Sequence, residues 1–161
     1  METYTIPRDG DAPITFDGEL LAEEAGRQEA GKERNRWFEL AVYRTADGQI
    51  VGQVRYRTQW QGEVDRDEVE VAGTPAEIVA WFRGYNPAER VQGYPPTEAY
   101  ADRQARLLAE LTAIYSARLG RLLSAAGDDF AERLDSDPRE RAIARIKELS
   151  EEFDIGMTDL L

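Results

Sequence analysis

Residues 36–73 alternate apolar and polar side chains around turn-forming residues, and this pattern constrains the fold more than any other feature of the sequence. The run is rich in Val, Tyr, Trp, Phe and Thr, which are typical of strands. At its centre, the segment Thr45–Gly48 reads TADG and suits a type I turn followed by Gly48 in the left-handed region. We therefore predict an antiparallel hairpin with a glycine bulge.

The position of this turn determines which residues of the two strands face each other. A bulged turn places three apolar pairs on one face: Phe38 with Tyr56, Leu40 with Val54, and Val42 with Gly52. A two-residue Asp-Gly loop would instead set Leu40 against Arg55, which a half-buried sheet face would not tolerate. The bulged register is therefore the prediction.

Two further strands are predicted on either side of this hairpin. The apolar face is expected to continue through Trp60 to Val64, with a turn that places Val69 opposite Gly62 and Val71 opposite Trp60. The segment 14–22 also alternates and predicts a strand, although 20–24 could equally open a short helix.

The second half of the sequence has helical patterns. Thr74–Glu77 combines a capping threonine with a first-turn proline, and Asp137–Glu140 repeats this kind of start. Between them, residues 97–126 carry an apolar stripe wider than a coiled-coil seam. The prediction is a single α+β domain over 1–161, in which an antiparallel meander of three to four strands (about 12–73) precedes three helices packed on one sheet face (about 74–161).

Composition excludes several kinds of chemistry. The 161 residues include no cysteine and no histidine, so disulfides, zinc sites with Cys or His ligands, and Ser-His-Asp or Cys-His catalysis are unavailable. The 32 acidic residues against 20 basic ones give a net charge of −12, which opposes binding to duplex DNA or anionic lipid. Phosphate-loop and dinucleotide motifs are missing, and no cofactor is expected.

The outer face of the predicted hairpin is a candidate partner-binding surface. Trp37 lies opposite Arg57, Glu39 opposite Arg55, and Tyr43 points away from the apolar face as they do. Two aromatic rings and two arginines could grip an anionic segment or stack bases. The pattern favours ordinary cross-strand pairs over such a site, Glu39 with Arg55 and Arg57 with Trp37. Tyr85 and Tyr94, in the proline-rich connection before the long helix, are further partner-binding candidates.

Acidic residues are concentrated in two places. Asp65, Asp67 and Glu68 lie around the second predicted turn and are the candidates for a divalent-metal site, against the alternative of a solvated turn. The acidic surface candidates in the C-terminal part are Asp128, Asp129, Glu132, Asp135, Glu151 and Glu152. Such a surface could imitate nucleic-acid phosphates, although Arg139–Lys147 intersperses basic residues.

These observations favour a non-enzymatic, acidic interaction protein that acts as an inhibitor, adaptor or complex subunit through protein–protein contacts. The alternatives are a nucleic-acid mimic of the phage or plasmid anti-defence type, and a metal-dependent hydrolase or nuclease using Asp65, Asp67 and Glu68. The stripe over 97–126 could also support a homo-oligomer. The N-terminus lacks the pattern of a secretory signal, and no uncharged stretch approaches the roughly 20 residues of a spanning helix, so a cytoplasmic location is expected.

Overall fold

The computed structural model describes residues 1–26, 35–90 and 101–131. Five strands form one antiparallel meander whose spatial order is the order of the sequence. The strands are β1 (Glu2–Ile6), β2 (Ile14–Glu24), β3 (Arg36–Thr45), β4 (Ile50–Thr58) and β5 (Arg66–Ala72). The helices are α1 (Pro75–Gly84) and α2 (Ala101–Ala126), with short 3-10 turns at Pro87–Arg90 and Asp128–Phe130.

The predicted α+β class is confirmed, but the counts of strands and helices were wrong. The described residues contain five strands and two helices, where three to four strands and three helices were predicted. The additional strand is β1, whose sequence ETYTI carries the β-favouring residues Thr, Tyr and Ile but precedes the predicted sheet region. The helix predicted to begin at Asp137 lies outside the described residues, as do residues 97–100 at the predicted start of the long helix.

The central hairpin of β3 and β4 has the predicted register. Phe38 pairs with Tyr56, Leu40 with Val54, and Val42 with Gly52. Gly48 has a φ of 88°, as the bulged turn requires.

The predicted register of the next hairpin was wrong. Val69 pairs with Gln53 and Val71 with Val51, so the partners of β5 come nine positions earlier in the chain than the predicted ones. Strand β4 ends at Thr58, where the loop turns back and the Asp65 carboxylate accepts the Thr58 backbone N–H at 2.9 Å. The two residues predicted to extend the apolar face are consequently exposed, Trp60 by 38% and Val64 by 59%.

One side of the sheet, here called the helix face, carries Phe38, Leu40 and Tyr56 and packs against both helices. Thr74 caps α1 as the sequence predicts, because its hydroxyl accepts the Glu77 N–H at 3.2 Å. Gly52 permits a close approach of this helix, since a Cβ there would lie 2.9 Å from atoms of Ile78 and Trp81. Helix α2 completes the core with Leu107, Leu111, Tyr115, Leu119, Leu122 and Leu123.

The opposite side, here called the hairpin face, is partly covered by β1 and the first half of β2. Gly18 pairs with Glu2 in β1 and with Thr45 in β3, so β2 passes from one neighbour to the other at this residue. A Cβ on Gly18 would lie 2.3 Å from the Arg44 carbonyl oxygen. Only glycine, which has no Cβ, avoids this clash. The hairpin of β1 and β2 covers a second apolar cluster, which includes Ile6, Ala41, Tyr43 and Val51.

The sheet curls far enough for its first hairpin to reach its last strand. Asp9, in the loop between β1 and β2, donates its backbone N–H to the Asp67 carbonyl in β5 at 2.8 Å. The Asp9 carboxylate accepts the Asp67 N–H in return at 3.1 Å. Residues Met1–Phe130 form one compact unit, and Ala131–Leu161 form a second. None of the described helices is long and apolar enough to cross a membrane.

Candidate functional site

The outer edge of β5 presents backbone groups that the sheet does not use. Both backbone hydrogen bonds of Asp67 go to Asp9 and so point away from β4. Because backbone groups of alternate residues in a strand point to the same side, those of Val69 and Val71 also face outward. Outside the strand pairing of the sheet, no hydrogen bond within 1–26, 35–90 and 101–131 reaches the N–H or C=O of Val69, and only the Glu70 carboxylate, at 3.2 Å, meets the Val71 N–H. We call this segment, Val69–Val71, the β5 edge.

An open cleft of about 480 Å³ lies beside the β5 edge. It is lined by residues of β5, by the loop between β1 and β2, and by Trp81 of α1. The lining residues are Arg8, Asp9, Asp11, Arg66, Asp67, Glu68, Val69 and Trp81. The cleft therefore joins an aromatic ring, charged side chains and unpaired backbone groups.

The charge around this cleft is predominantly negative. Four of the lining residues are acidic and two are basic, and Glu70 adds a fifth carboxylate on the same strand. Part of this charge is already paired, since the Arg8 guanidinium lies 3.6 Å from Asp11 and donates to the Ala12 carbonyl at 2.6 Å. In addition, the Arg57 guanidinium lies 3.0 Å from Asp67. The local surface thus favours cationic groups.

A second polar group lies inside the protein, on the helix face. The Arg36 guanidinium makes a bidentate pair with the Glu63 carboxylate, at 2.5 Å from Nη2 and 3.1 Å from Nε, and both side chains are 4% exposed. Tyr56 and Thr58 donate hydroxyl hydrogen bonds to the same carboxylate, at 2.6 and 3.1 Å. The ring of Trp60 lies over the Arg36 guanidinium, 4.7 Å from its centroid.

This group has a large effect on proton affinities. Burial alone would raise the pKa of Glu63, but the hydrogen bonds from Arg36 and Tyr56 outweigh it, and the pKa is lowered. Burial, and then the hydrogen bond to the Glu63 carboxylate, raise the pKa of Tyr56. The carboxylate is therefore ionised and saturated with donors at neutral pH. This arrangement stabilises the loop after β4.

Arg57 is the centre of the charged part of the hairpin face. Its guanidinium lies 3.0 Å from Asp67, 3.6 Å from Glu39 and 3.9 Å from Asp65. The predicted alignment of Glu39 with Arg55 is confirmed for the backbones, yet the Glu39 carboxylate pairs with Arg57. With the Gln53 amide oriented so that its nitrogen meets the Tyr43 hydroxyl, its oxygen accepts from the Arg55 guanidinium at 2.8 Å.

The aromatic candidates for partner binding are placed differently from one another. Trp37 is half-buried opposite Arg57, whereas Tyr43 is only 4% exposed and packs on Tyr4 and Phe16, with ring centroids 4.8 and 5.5 Å away. The ring of Tyr43 is therefore part of the interior. The sequence pattern did not reveal this because the hairpin that covers Tyr43 was not predicted.

Tyr85 also packs inward. It is half-buried against Tyr115, with centroids 5.1 Å apart, and no described residue forms a hydrogen bond with its hydroxyl. Burial raises the pKa of Tyr85. Tyr94 lies outside the described residues.

The structure separates the three candidate metal ligands. Asp65 and Asp67 turn toward Arg57, while Glu68 follows Asp67 directly in a strand and so lies on the opposite face. Among the described residues, no group of three or more acidic side chains is arranged to hold a metal ion.

The remaining candidates concern the C-terminal half. Asp128 and Asp129 are exposed in the 3-10 turn after α2, whereas Glu132, Asp135, Glu151 and Glu152 lie outside the described residues. The apolar stripe of α2, where a homo-oligomer contact was predicted, packs on the sheet in the single chain. Within Ala101–Ala126, no large apolar side chain is exposed.

Sequence reasoning missed the two arrangements that matter most for a site. The ion pair between Arg36 and Glu63 joins residues 27 positions apart, and nothing in the local pattern links them. The β5 edge was missed because β5 was aligned with the wrong part of β4. An available signal was the alternation of Glu68, Val69, Glu70 and Val71, which is typical of a strand with one acidic and one apolar face.

No protein-family model, no curated protein and no solved structure matches this chain.

Proposed function

We propose that this protein is a non-enzymatic interaction protein that binds another protein by adding an extended segment of it to the β5 edge. The single observation that supports the proposal is the pair of hydrogen bonds between Asp67 and Asp9, since it places the backbone groups of Val69 on the outer side of β5, away from β4. An edge strand with free N–H and C=O groups is a template for a further strand. The adjacent cleft gives space for the side chains of such a segment.

The surroundings of this edge distinguish it from an ordinary exposed strand. Asp9 occupies the backbone groups of Asp67, so the position next to the β5 edge is already paired as an added strand would pair it. Trp81, which lines the cleft, offers an aromatic contact, which is common at protein interfaces. Backbone pairing supplies affinity in this mode, and the side-chain contacts supply selectivity.

The proposal is tested with peptides selected from a random display library on the immobilised protein. Val69→Pro removes the outward N–H, and proline is tolerated in edge strands because this group does not pair within the sheet. The selected peptides should bind the wild-type protein and Val69→Thr alike, and bind Val69→Pro at least about tenfold more weakly.

Val71→Pro serves as a second variant, because Val71 is 39% exposed and its replacement disturbs less packing. Circular dichroism establishes that each variant is folded. Equal binding of selected peptides to the wild type and to folded proline variants would contradict strand addition, and so would a selection that yields no binding peptide.

A further inference from the structure

We propose that the segment accepted at the β5 edge is a short basic strand, with cationic side chains at alternate positions that face Glu68 and Glu70. This inference rests on the function proposed above and adds the chemistry and length of the partner. It follows from the distribution of charge along β5 and from where the open edge begins and ends.

The geometry limits the length of the added strand. At one end, Asp9 fills the backbone groups of Asp67 and closes the edge. At the other end, Ala72 is buried and the chain turns at Gly73 into the capped start of α1. The backbone groups between these two points belong to Val69–Val71, so a segment of about three to five residues fills the edge.

The side chains of β5 determine which residues suit this strand. Glu68 and Glu70 lie on one face of the strand, while Val69 and Val71 lie on the other. Cross-strand neighbours on the same face contact each other, and opposite charges there are favourable. The added strand should therefore carry Lys or Arg on the side of the glutamates and apolar residues on the side of the valines.

The same charges disfavour a second copy of this chain as the occupant. Two β5 strands paired antiparallel about Val69 would place Glu68 opposite Glu70 twice, and like charges directly opposite destabilise a sheet. The chain's own residues 128–161 contain 11 acidic and 5 basic residues, and this excess of negative charge opposes their attraction to an acidic edge. A basic segment of another protein remains, and the net charge of −12 would assist its approach.

Three synthetic peptides of about five residues, the longest segment that the edge accommodates, test this inference. Each alternates Val with one other residue, which is Lys, Gln or Glu, and dissociation constants are measured by calorimetry. We expect the Lys peptide to bind about fivefold or more tightly than the Gln peptide, with the Glu peptide weakest. The advantage of Lys should shrink as salt is raised from about 0.05 M to about 0.5 M.

Matched variants locate the effect. Glu70→Lys should remove or reverse the preference for Lys, whereas Glu19→Lys, an equal change of charge on exposed β2, should leave it unchanged. Val69→Pro should weaken the binding of all three peptides by a similar factor.

Each result distinguishes this inference from the function on which it rests. Equal binding of the Lys and Gln peptides, with loss in Val69→Pro, would overturn the basic strand and leave strand addition standing. If the Lys peptide binds Val69→Pro as tightly as the wild type, its binding is general attraction to an acidic surface. That result would overturn both strand addition and the basic strand. Self-association that Val69→Pro abolishes would identify a second copy as the occupant and overturn the inference.

Discussion

The helix face and the hairpin face belong to the same sheet but are covered in different ways. The helix face is packed by α1 and α2, and its central residues Phe38, Leu40 and Tyr56 are almost completely buried. The hairpin face is covered only where β1 and the first half of β2 cross it, and the rest of it is charged. One face is therefore an ordinary core, and the other combines a small core with a polar surface.

Each face also has one central arginine, and the two arginines are in contrasting environments. Arg36 on the helix face is paired with the Glu63 carboxylate, and both side chains are 4% exposed. Arg57 on the hairpin face lies near three carboxylates and is 21% exposed. Removing one partner of a buried pair leaves an uncompensated charge, whereas water compensates an exposed one. We therefore expect burial to determine what each of these ion pairs contributes to stability.

The largest expected effect is that of Glu63→Gln. This change keeps the shape of the side chain but removes the buried carboxylate charge that the Arg36 guanidinium contacts, so the free energy of unfolding should fall by about 3–5 kcal/mol. Urea denaturation of the two proteins measures it. The control is Asp65→Asn in the same loop, which retains an acceptor for the Thr58 N–H and should cost about 1 kcal/mol or less. Equal losses of stability in both variants would contradict the expected difference between a buried and an exposed carboxylate.

Gly18→Ala tests how the hairpin face is covered. The added Cβ would lie 2.3 Å from the Arg44 carbonyl oxygen, so β2 must shift away from β3. The free energy of unfolding should therefore fall by about 2–3 kcal/mol. Gly73→Ala is the matched control, because no heavy atom lies within 4 Å of its Cβ position. Thermal and urea unfolding of both variants should separate them clearly. A Gly18→Ala protein as stable as Gly73→Ala would refute the close crossing.

Two buried tyrosine hydroxyls provide a direct comparison between the faces. On the helix face, Tyr56 donates to the Glu63 carboxylate at 2.6 Å, and on the hairpin face, Tyr43 shares a hydrogen bond of 3.2 Å with the Gln53 amide. Hydrogen bonds to charged groups are stronger, so Tyr56→Phe should cost about 2 kcal/mol and Tyr43→Phe about 1 kcal/mol. Urea denaturation measures both losses of stability. A larger loss in Tyr43→Phe than in Tyr56→Phe would contradict the prediction.

The pH dependence of stability should differ between the wild type and Glu63→Gln. Because folding lowers the pKa of Glu63, its contribution is present above the ordinary glutamate value of about 4.5 and is lost as pH falls through the folded pKa. The stability difference between the two proteins should therefore shrink below about pH 4.5, and calorimetric unfolding at several pH values measures it. A difference that stays constant down to low pH would show that ionisation of Glu63 is not the cause.

The sequence was sufficient for those parts of the fold that depend on neighbouring residues. The hairpin of β3 and β4 follows from one turn and one alternating pattern, and the start of α1 follows from the Thr74 cap. The covering of the hairpin face could not be derived in this way, because it depends on the contact of Gly18 with Arg44, 26 positions later. For the same reason, the burial of Tyr43 and the open β5 edge became visible only in three dimensions.

Arg57→Gln is expected to have the smallest effect on stability. It tests the exposed ion pairs of the hairpin face, whereas Glu63→Gln tests the buried pair of the helix face. The variant loses ion pairs with three carboxylates, the nearest at 3.0 Å, yet water reaches this part of the hairpin face. The free energy of unfolding should fall by about 1 kcal/mol or less at low salt, and the loss should decrease further as salt screens the charges. Glu63→Gln, measured by urea denaturation over the same salt range, should keep most of its larger effect, since ions do not reach the buried pair. If both losses respond equally to salt, the two faces do not differ in how they shield their charges, and the distinction between a dry and a wet ion pair fails.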